Sequence, residues 1–151
     1  MSYKYISVTP ITPAIGAIIG DIDASKNLPD EVVDEIRKAF LEHQVIFLRN
    51  QRLNPKELVA FAARFGDIGY YPFVQGMEGQ PEVTEVIKKE DETINFGGLW
   101  HTDTSYQEVP ALASILYARE IPPSDLGNTL FCNLVAAYEA LSEPLKDFLI
   151  N

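Results

Sequence analysis

The chain has 151 residues, 46% of them hydrophobic and 11% aromatic, which is ample material for one folded domain with a core. Its 22 acidic residues outweigh 12 basic ones for a net charge of −10, and no local basic patch offsets them, so attraction to a nucleic-acid backbone is excluded as a driving force. The lone cysteine, Cys132, excludes an intramolecular disulfide and a thiolate cluster within one chain, and in "TLFCNL" it is expected to be a small buried hydrophobe.

The opening "MSYKYISVTPITPAIGAIIGDIDASK" holds a short apolar run, residues 14–19, broken by Gly16 and ended by Gly20 and Asp21. It is too short for a signal-peptide core or a membrane span, so a cytoplasmic protein without membrane association is expected. "LPDEVVDEIRKAFLEH" then carries Val32, Val33, Ile36, Ala39 and Phe40 at helical spacing, with acidic residues at its start, where the helix dipole favours them. "QVIFLRN", residues 44–50, is a continuous apolar run of strand length and predicts a buried strand. The next helix is predicted over residues 55–65. Asn54 can cap it, Pro55 suits the first turn, Glu57 completes a capping-box pair, and Leu58, Phe61, Ala62 and Phe65 form its apolar stripe before Gly66.

Residues 67–96 are turn-rich, with one predicted strand in "EVTEVIK". "ALASILYARE", residues 111–120, reads as a strand, and "IPPSDLGNTLFCN" as a turn leading into a short strand at 129–132. "LVAAYEALSEPLKDFLI" closes the chain as helix interrupted at Pro144, with Leu134, Ala137, Tyr138 and Leu141 on one side. No repeat, low-complexity tract or long linker divides residues 1–151, so a single domain is expected. Helices first, then strands, then helix argue for an α+β domain rather than regular alternation about a parallel sheet.

Chemistry concentrates in "GGLWHTDTSYQEVPA", where His101 and Asp103 flank Thr102 in a chain with one other histidine, His43. If residues 99–105 are extended, His101 and Asp103 project to one side about 6 to 7 Å apart at Cα, while Thr102 points away. An imidazole and a carboxylate on one face, with a second imidazole from elsewhere, make the facial triad that holds Fe(II) and leaves its remaining positions open. Taken alone the pair reads more readily as an ordinary polar patch than as a metal grip.

The flanking residues carry a resemblance. "LWHTDTSY", with "HQVIFLRNQ" and "FAARFGDIG" before it, "GNTLFCNLVAAYEALS" after it and the opening "ITPAIGAIIGDID", resembles the iron and 2-oxoglutarate-dependent dioxygenases of the taurine dioxygenase and 2,4-dichlorophenoxyacetate dioxygenase group. The similarity covers nearly the whole chain. It implies a double-stranded β-helix, a jelly-roll relative of the cupins with flanking helices, and assigns His101 and Asp103 as two iron ligands and as the catalytic pair. Thr129 matches the threonine that hydrogen-bonds the 2-oxoglutarate carboxylate, and Trp100 is expected to pack the site wall. The implied cofactors are Fe(II) and 2-oxoglutarate; the implied partners are a small-molecule substrate and O2, in a homo-oligomer.

Tyr71, Phe73, Asn95 and Phe96, in "GYYPFVQG" and "NFGG", fall in loops that in relatives reach over the iron and are the expected substrate contacts. Taurine is disfavoured, because the histidine that serves the sulfonate and the substrate-contacting asparagine of the taurine enzyme are not matched near Tyr71 and Gly97. His43 fits a helix end remote from the iron. The family's third ligand, a distal histidine, and the arginine that pairs with the 2-oxoglutarate carboxylate are absent, so the chain is expected to be the N-terminal part of a longer enzyme whose β-helix is incomplete here. Two other readings stand beside this one. In one, a short non-catalytic product serves as a binding or interaction protein; in the other, His43 or another subunit completes the triad.

Overall fold

The computed structural model describes residues 2–70, 74–94, 96–123 and 126–150. Seven elements follow in chain order: β1 (Ser7–Pro10), β2 (Ala17–Gly20), α1 (Asp30–His43), β3 (Ile46–Leu48), α2 (Pro55–Ala62), α3 (Leu134–Glu139) and α4 (Glu143–Ile150). They fall into two compact units. One comprises Met1–Asp23, Asn27–Gln51 and Glu120–Asn151; the other Ala24–Lys26 and Arg52–Arg119.

The first unit is organised on a three-stranded mixed sheet in the order β1-β2-β3. β1 runs antiparallel to β2, with Val8 opposite Ile19, and β2 runs parallel to β3, with Ile18 opposite Phe47. Parallel neighbours need a crossover, and α1 supplies it by packing on both β2 and β3. The packing follows the two periodicities. Ala17 and Ile19 alternate into the core from β2, while Val33, Ile36 and Ala39 recur every third position of α1, and Ile36 and Ala17 are wholly removed from solvent. α1 ends without a glycine: Gln44 takes φ 64° and returns its amide N–H to the Phe40 carbonyl at 2.6 Å.

Glu35 on α1 fastens the N-terminal segment to this layer. Its carboxylate accepts the amide N–H groups of Lys4, Tyr5 and Ile6 at 2.7, 2.8 and 3.2 Å. Desolvation opposes its ionisation, yet the three amides, helped by the Lys38 ammonium, prevail and hold the carboxyl below its ordinary value. Nearby, partial burial and the hydrogen bond that Tyr3 donates to Glu42 at 2.8 Å push the Tyr3 hydroxyl up to about 12.

In the second unit α2 bears out its capping signals. Asn54 Oδ1 accepts the Glu57 amide at 3.0 Å, and Glu57 Oε2 accepts the Asn54 amide at 2.8 Å, closing a reciprocal capping box. The helix proper ends at Ala62, three residues before the predicted end. Arg64 and Phe65 donate to the carbonyls three residues back, which tightens the last turn, and Phe61 meets Phe65 edge to face at 5.2 Å.

Several expectations are corrected. The chain opens on a hairpin rather than on a helix, so the order is not helices first. Residues 82–88, 111–120 and 129–132 find no ladder partner among the described residues and do not form strands. An apolar, β-branched run suits a sheet, but a strand exists only where a second backbone accepts its N–H groups, and that partner is not encoded in the run itself. Most of their side chains are open to solvent, Leu116 at 79% and Leu130 at 72%, while Val83 and Tyr117 are half-buried. Cys132 is exposed rather than buried. Leu134 and Ala137 are exposed as well, while Tyr138 and Leu141 are half-buried. The closing helix is interrupted as expected, at residues 140–142, and Pro144 stands in the first turn of α4, where its missing N–H costs nothing.

Candidate metal centre

His101 and Asp103 belong to the second unit, on an irregular stretch rather than the extended strand expected of residues 99–105. They converge all the same. His101 Nε2 stands 3.2 Å from Asp103 Oδ1. A tight turn follows them: Thr104 takes φ 46°, its carbonyl accepts the Gln107 amide at 3.0 Å, and the Thr102 and Ser105 hydroxyls meet at 2.5 Å. A β-branched residue at positive φ is costly, so this turn is held by its surroundings rather than by its own preference.

The two side chains are each tied down at their far atoms. His101 Nδ1 lies 2.7 Å from the Leu99 carbonyl oxygen, a bond that requires the proton on Nδ1 and so leaves the Nε2 lone pair free in the neutral ring. Asp103 Oδ2 accepts a hydrogen bond from Ser114 Oγ at 2.8 Å, which leaves Oδ1 for the shared space. Two electron-rich atoms this close repel unless a proton or a cation lies between them. Ligands at about 2.1 Å on adjacent corners of an octahedron are roughly 3 Å apart, so the observed spacing fits one metal ion gripped by both.

Gly97 lies beside the Cε1–Nε2 edge of the imidazole. It takes φ 65°, and a Cβ placed there would stand 3.2 Å from His101 Cε1. With Ile94, Gly98 and Leu99 it lines an open depression of about 520 Å³ at the His101 ring, room for a small molecule beside the pair. Among the described residues no third histidine, cysteine, aspartate or glutamate joins His101 and Asp103 in a cluster.

Trp100 is 69% exposed and Phe96 67%. Tyr71, Phe73 and Asn95 lie outside the described residues. Thr129 is an exposed residue of the first unit, and His43 ends α1 in that unit, its carbonyl accepting the amides of Gly16 and Val45 at 2.9 and 2.7 Å. One residue at the site was not anticipated, Ser114, whereas Gly97 lies in the "NFGG" loop already expected to line it. The one serine within the run "ALASILY" is the signal that singles it out.

A pair of metal-type ligands one residue apart on a turn, in a chain that also carries a small mixed sheet with a crossover helix, defines a class that comparison with known proteins makes specific. The family described as "Taurine catabolism dioxygenase TauD, TfdA family" matches residues 7–151, and the chain belongs to it. It is 32% identical over 143 residues to the alpha-ketoglutarate-dependent sulfate ester dioxygenase of Pseudomonas putida, covering 94% of this chain and 46% of that protein. Identity to the alkylsulfatase of Acinetobacter baylyi is 34% over 146 residues, covering 96% and 45%. The alpha-ketoglutarate-dependent 2,4-dichlorophenoxyacetate dioxygenase of Cupriavidus pinatubonensis is 31% identical, covering 93% and 54%.

Among solved structures, a taurine dioxygenase from Burkholderia xenovorans superposes with a TM-score of 0.77 at 34% identity, covering 97% of this chain and 51% of that one. AAD-2, solved in complex with Mn(II) and N-oxalylglycine, superposes at 0.70 with 24% identity, covering 95% and 48%, a likeness of fold. The chain thus spans about half the length of the curated relatives it matches.

Proposed function

We propose that the intact protein is an Fe(II)- and 2-oxoglutarate-dependent dioxygenase that hydroxylates a small organic substrate, releasing succinate and carbon dioxide. The observation that carries this reading is the 3.2 Å approach of His101 Nε2 to Asp103 Oδ1, with the outer atom of each side chain already engaged. Residues 1–151 are read as the N-terminal part of one double-stranded β-helix domain, and the relatives, about twice as long, support the remainder lying beyond them.

Bound at this pair, Fe(II) would supply oxygen activation coupled to decarboxylation of 2-oxoglutarate. The chain's own residues perform the holding. The Leu99 carbonyl fixes the tautomer in which Nε2 is a ligand, and Asp103 contributes one negative charge through Oδ1, partly neutralising a divalent ion. The depression lined by Gly97, Gly98 and Leu99 leaves one side of the pair approachable by a small molecule. From the family resemblance, Thr129 donates its hydroxyl to the 2-oxoglutarate carboxylate, the third ligand and the pairing arginine come from beyond these residues, and the enzyme is a cytoplasmic homo-oligomer.

For the substrate, Tyr71, Phe73, Asn95 and Phe96 are the proposed contacts, offering aromatic surface and one amide anchor. The names of the relatives, a sulfate ester dioxygenase, an alkylsulfatase and a 2,4-dichlorophenoxyacetate dioxygenase, support screening small organic anions first. The test is succinate release by the full-length protein with such a panel, alongside His101→Ala and Asp103→Ala. Substrate-dependent succinate that disappears in both variants supports the reading; near-normal turnover in either removes that residue from the metal.

A further inference from the structure

We infer that Ser114 is the positioning residue of the Asp103 ligand: its hydroxyl holds the outer carboxylate oxygen so that Asp103 meets the metal through Oδ1 alone. The inference rests on the metal-site reading given above and extends it to a residue outside the His101–Asp103 stretch.

The geometry is specific. Ser114 Oγ donates to Asp103 Oδ2 at 2.8 Å, while Oδ1 of the same carboxylate faces His101 Nε2 at 3.2 Å. The two oxygens of one carboxylate therefore have different partners, and the hydroxyl selects which one stays free. Ser114 is eleven residues from Asp103, so this contact is not local turn chemistry. It is also the polar interruption of the run "ALASILY", where an apolar residue would continue the pattern without strain.

Chemistry gives the contact its consequence. An unrestrained carboxylate on a divalent ion can swing to chelate through both oxygens, occupying a position that a co-substrate needs. A hydrogen bond to Oδ2 costs that second oxygen its freedom and narrows the rotation of the side chain, so Oδ1 is delivered in one orientation. Both side chains are solvent-exposed, Asp103 at 57%, and beside the 3.2 Å approach of His101 the Ser114 hydroxyl is the contact described for this carboxylate.

The experiment uses the full-length protein and Mn(II) alone as the probe, titrated into apoprotein and followed by the loss of the free-ion resonance. Removal of an outer-shell partner commonly weakens metal binding by about 10-fold to 100-fold, and Ser114→Ala is expected to fall in that range. Ser114→Thr, which keeps the hydroxyl, is expected to bind like the parent, and Ser114→Val, the same shape without the hydroxyl, like the alanine variant. The Thr and Val pair separates the hydrogen bond from any loss of packing, because the two differ in the donor and not in size. Asp103→Ala is run beside them. If Asp103→Ala abolishes binding while Ser114→Ala and Ser114→Val bind like the parent, the positioning role is overturned and the metal site stands. If Asp103→Ala itself binds like the parent, the metal-site reading falls, and the positioning role with it.

Discussion

Gly97 lies beside the Cε1–Nε2 edge of His101, and a β-carbon at that position would press on Cε1 of the ring at 3.2 Å. Gly97 also holds φ 65°, a region that costs a residue with a side chain about 1 to 2 kcal/mol. The Gly97→Ala variant is therefore expected to lose stability by about that amount and to tilt the imidazole away from Asp103. Urea denaturation reads the first effect and Mn(II) titration the second. Unchanged metal affinity would show that the ring does not depend on the glycine for its place.

The capping box of α2 gives a second prediction, separate from the site. Asn54 and Glu57 each satisfy the other's amide at 3.0 and 2.8 Å, so Asn54→Ala removes the acceptor of the Glu57 amide and loosens the reciprocal bond. Loss of such a cap typically costs about 1 kcal/mol, and the double variant with Glu57→Ala is expected to cost less than the sum of the single ones, since each residue then lacks the partner it served. Additive losses in denaturant midpoints would show that the two bonds act independently.

These two cases mark what the sequence makes legible. Caps and helical stripes are local, and so Asn54, Glu57 and the Val33, Ile36, Ala39 face of α1 are written in the order of the residues alone. The β1–β2 hairpin is not, because its register joins Pro10 to Ala17 across a loop whose glycine, Gly16 at φ 91°, reveals itself only in the backbone. Residues 82–88, 111–120 and 129–132 mislead for the opposite reason, having the composition of strands without a pairing backbone among the described residues. His101 and Asp103 are legible as a pair of ligand types, though they meet on an irregular stretch and not on the pleat of a strand. Ser114 depends on a contact that spacing does not express.

The core prediction concerns Ile36, the largest side chain among the described residues with no solvent contact. It sits on α1 over the parallel pair β2 and β3, with Val33 and Ala39 on the same face. Truncation to alanine leaves a void in close-packed surroundings and is expected to cost about 2 to 5 kcal/mol, against roughly 0.5 to 1.5 for Ile36→Val. Equilibrium denaturation should show that ordering. A small effect of Ile36→Ala would mean that α1 is not the element on which the first unit's stability turns.

Glu35 supplies the pH prediction. Its carboxylate accepts three amide N–H groups of the N-terminal segment, which lower its folded pKa below the ordinary 4.5. A depressed carboxyl contributes stability above its unfolded value, and that contribution disappears as the pH falls through the folded value. Glu35→Gln keeps the shape but carries no charge, so it is expected to unfold earlier than the parent at neutral pH. Below about pH 4.5 the difference should shrink as the parent's carboxyl takes up its proton. Thermal unfolding of both proteins across about pH 3 to 7 tests this. A gap that stays constant with pH would assign the effect of the substitution to hydrogen-bond geometry and not to the charge that the three amides share.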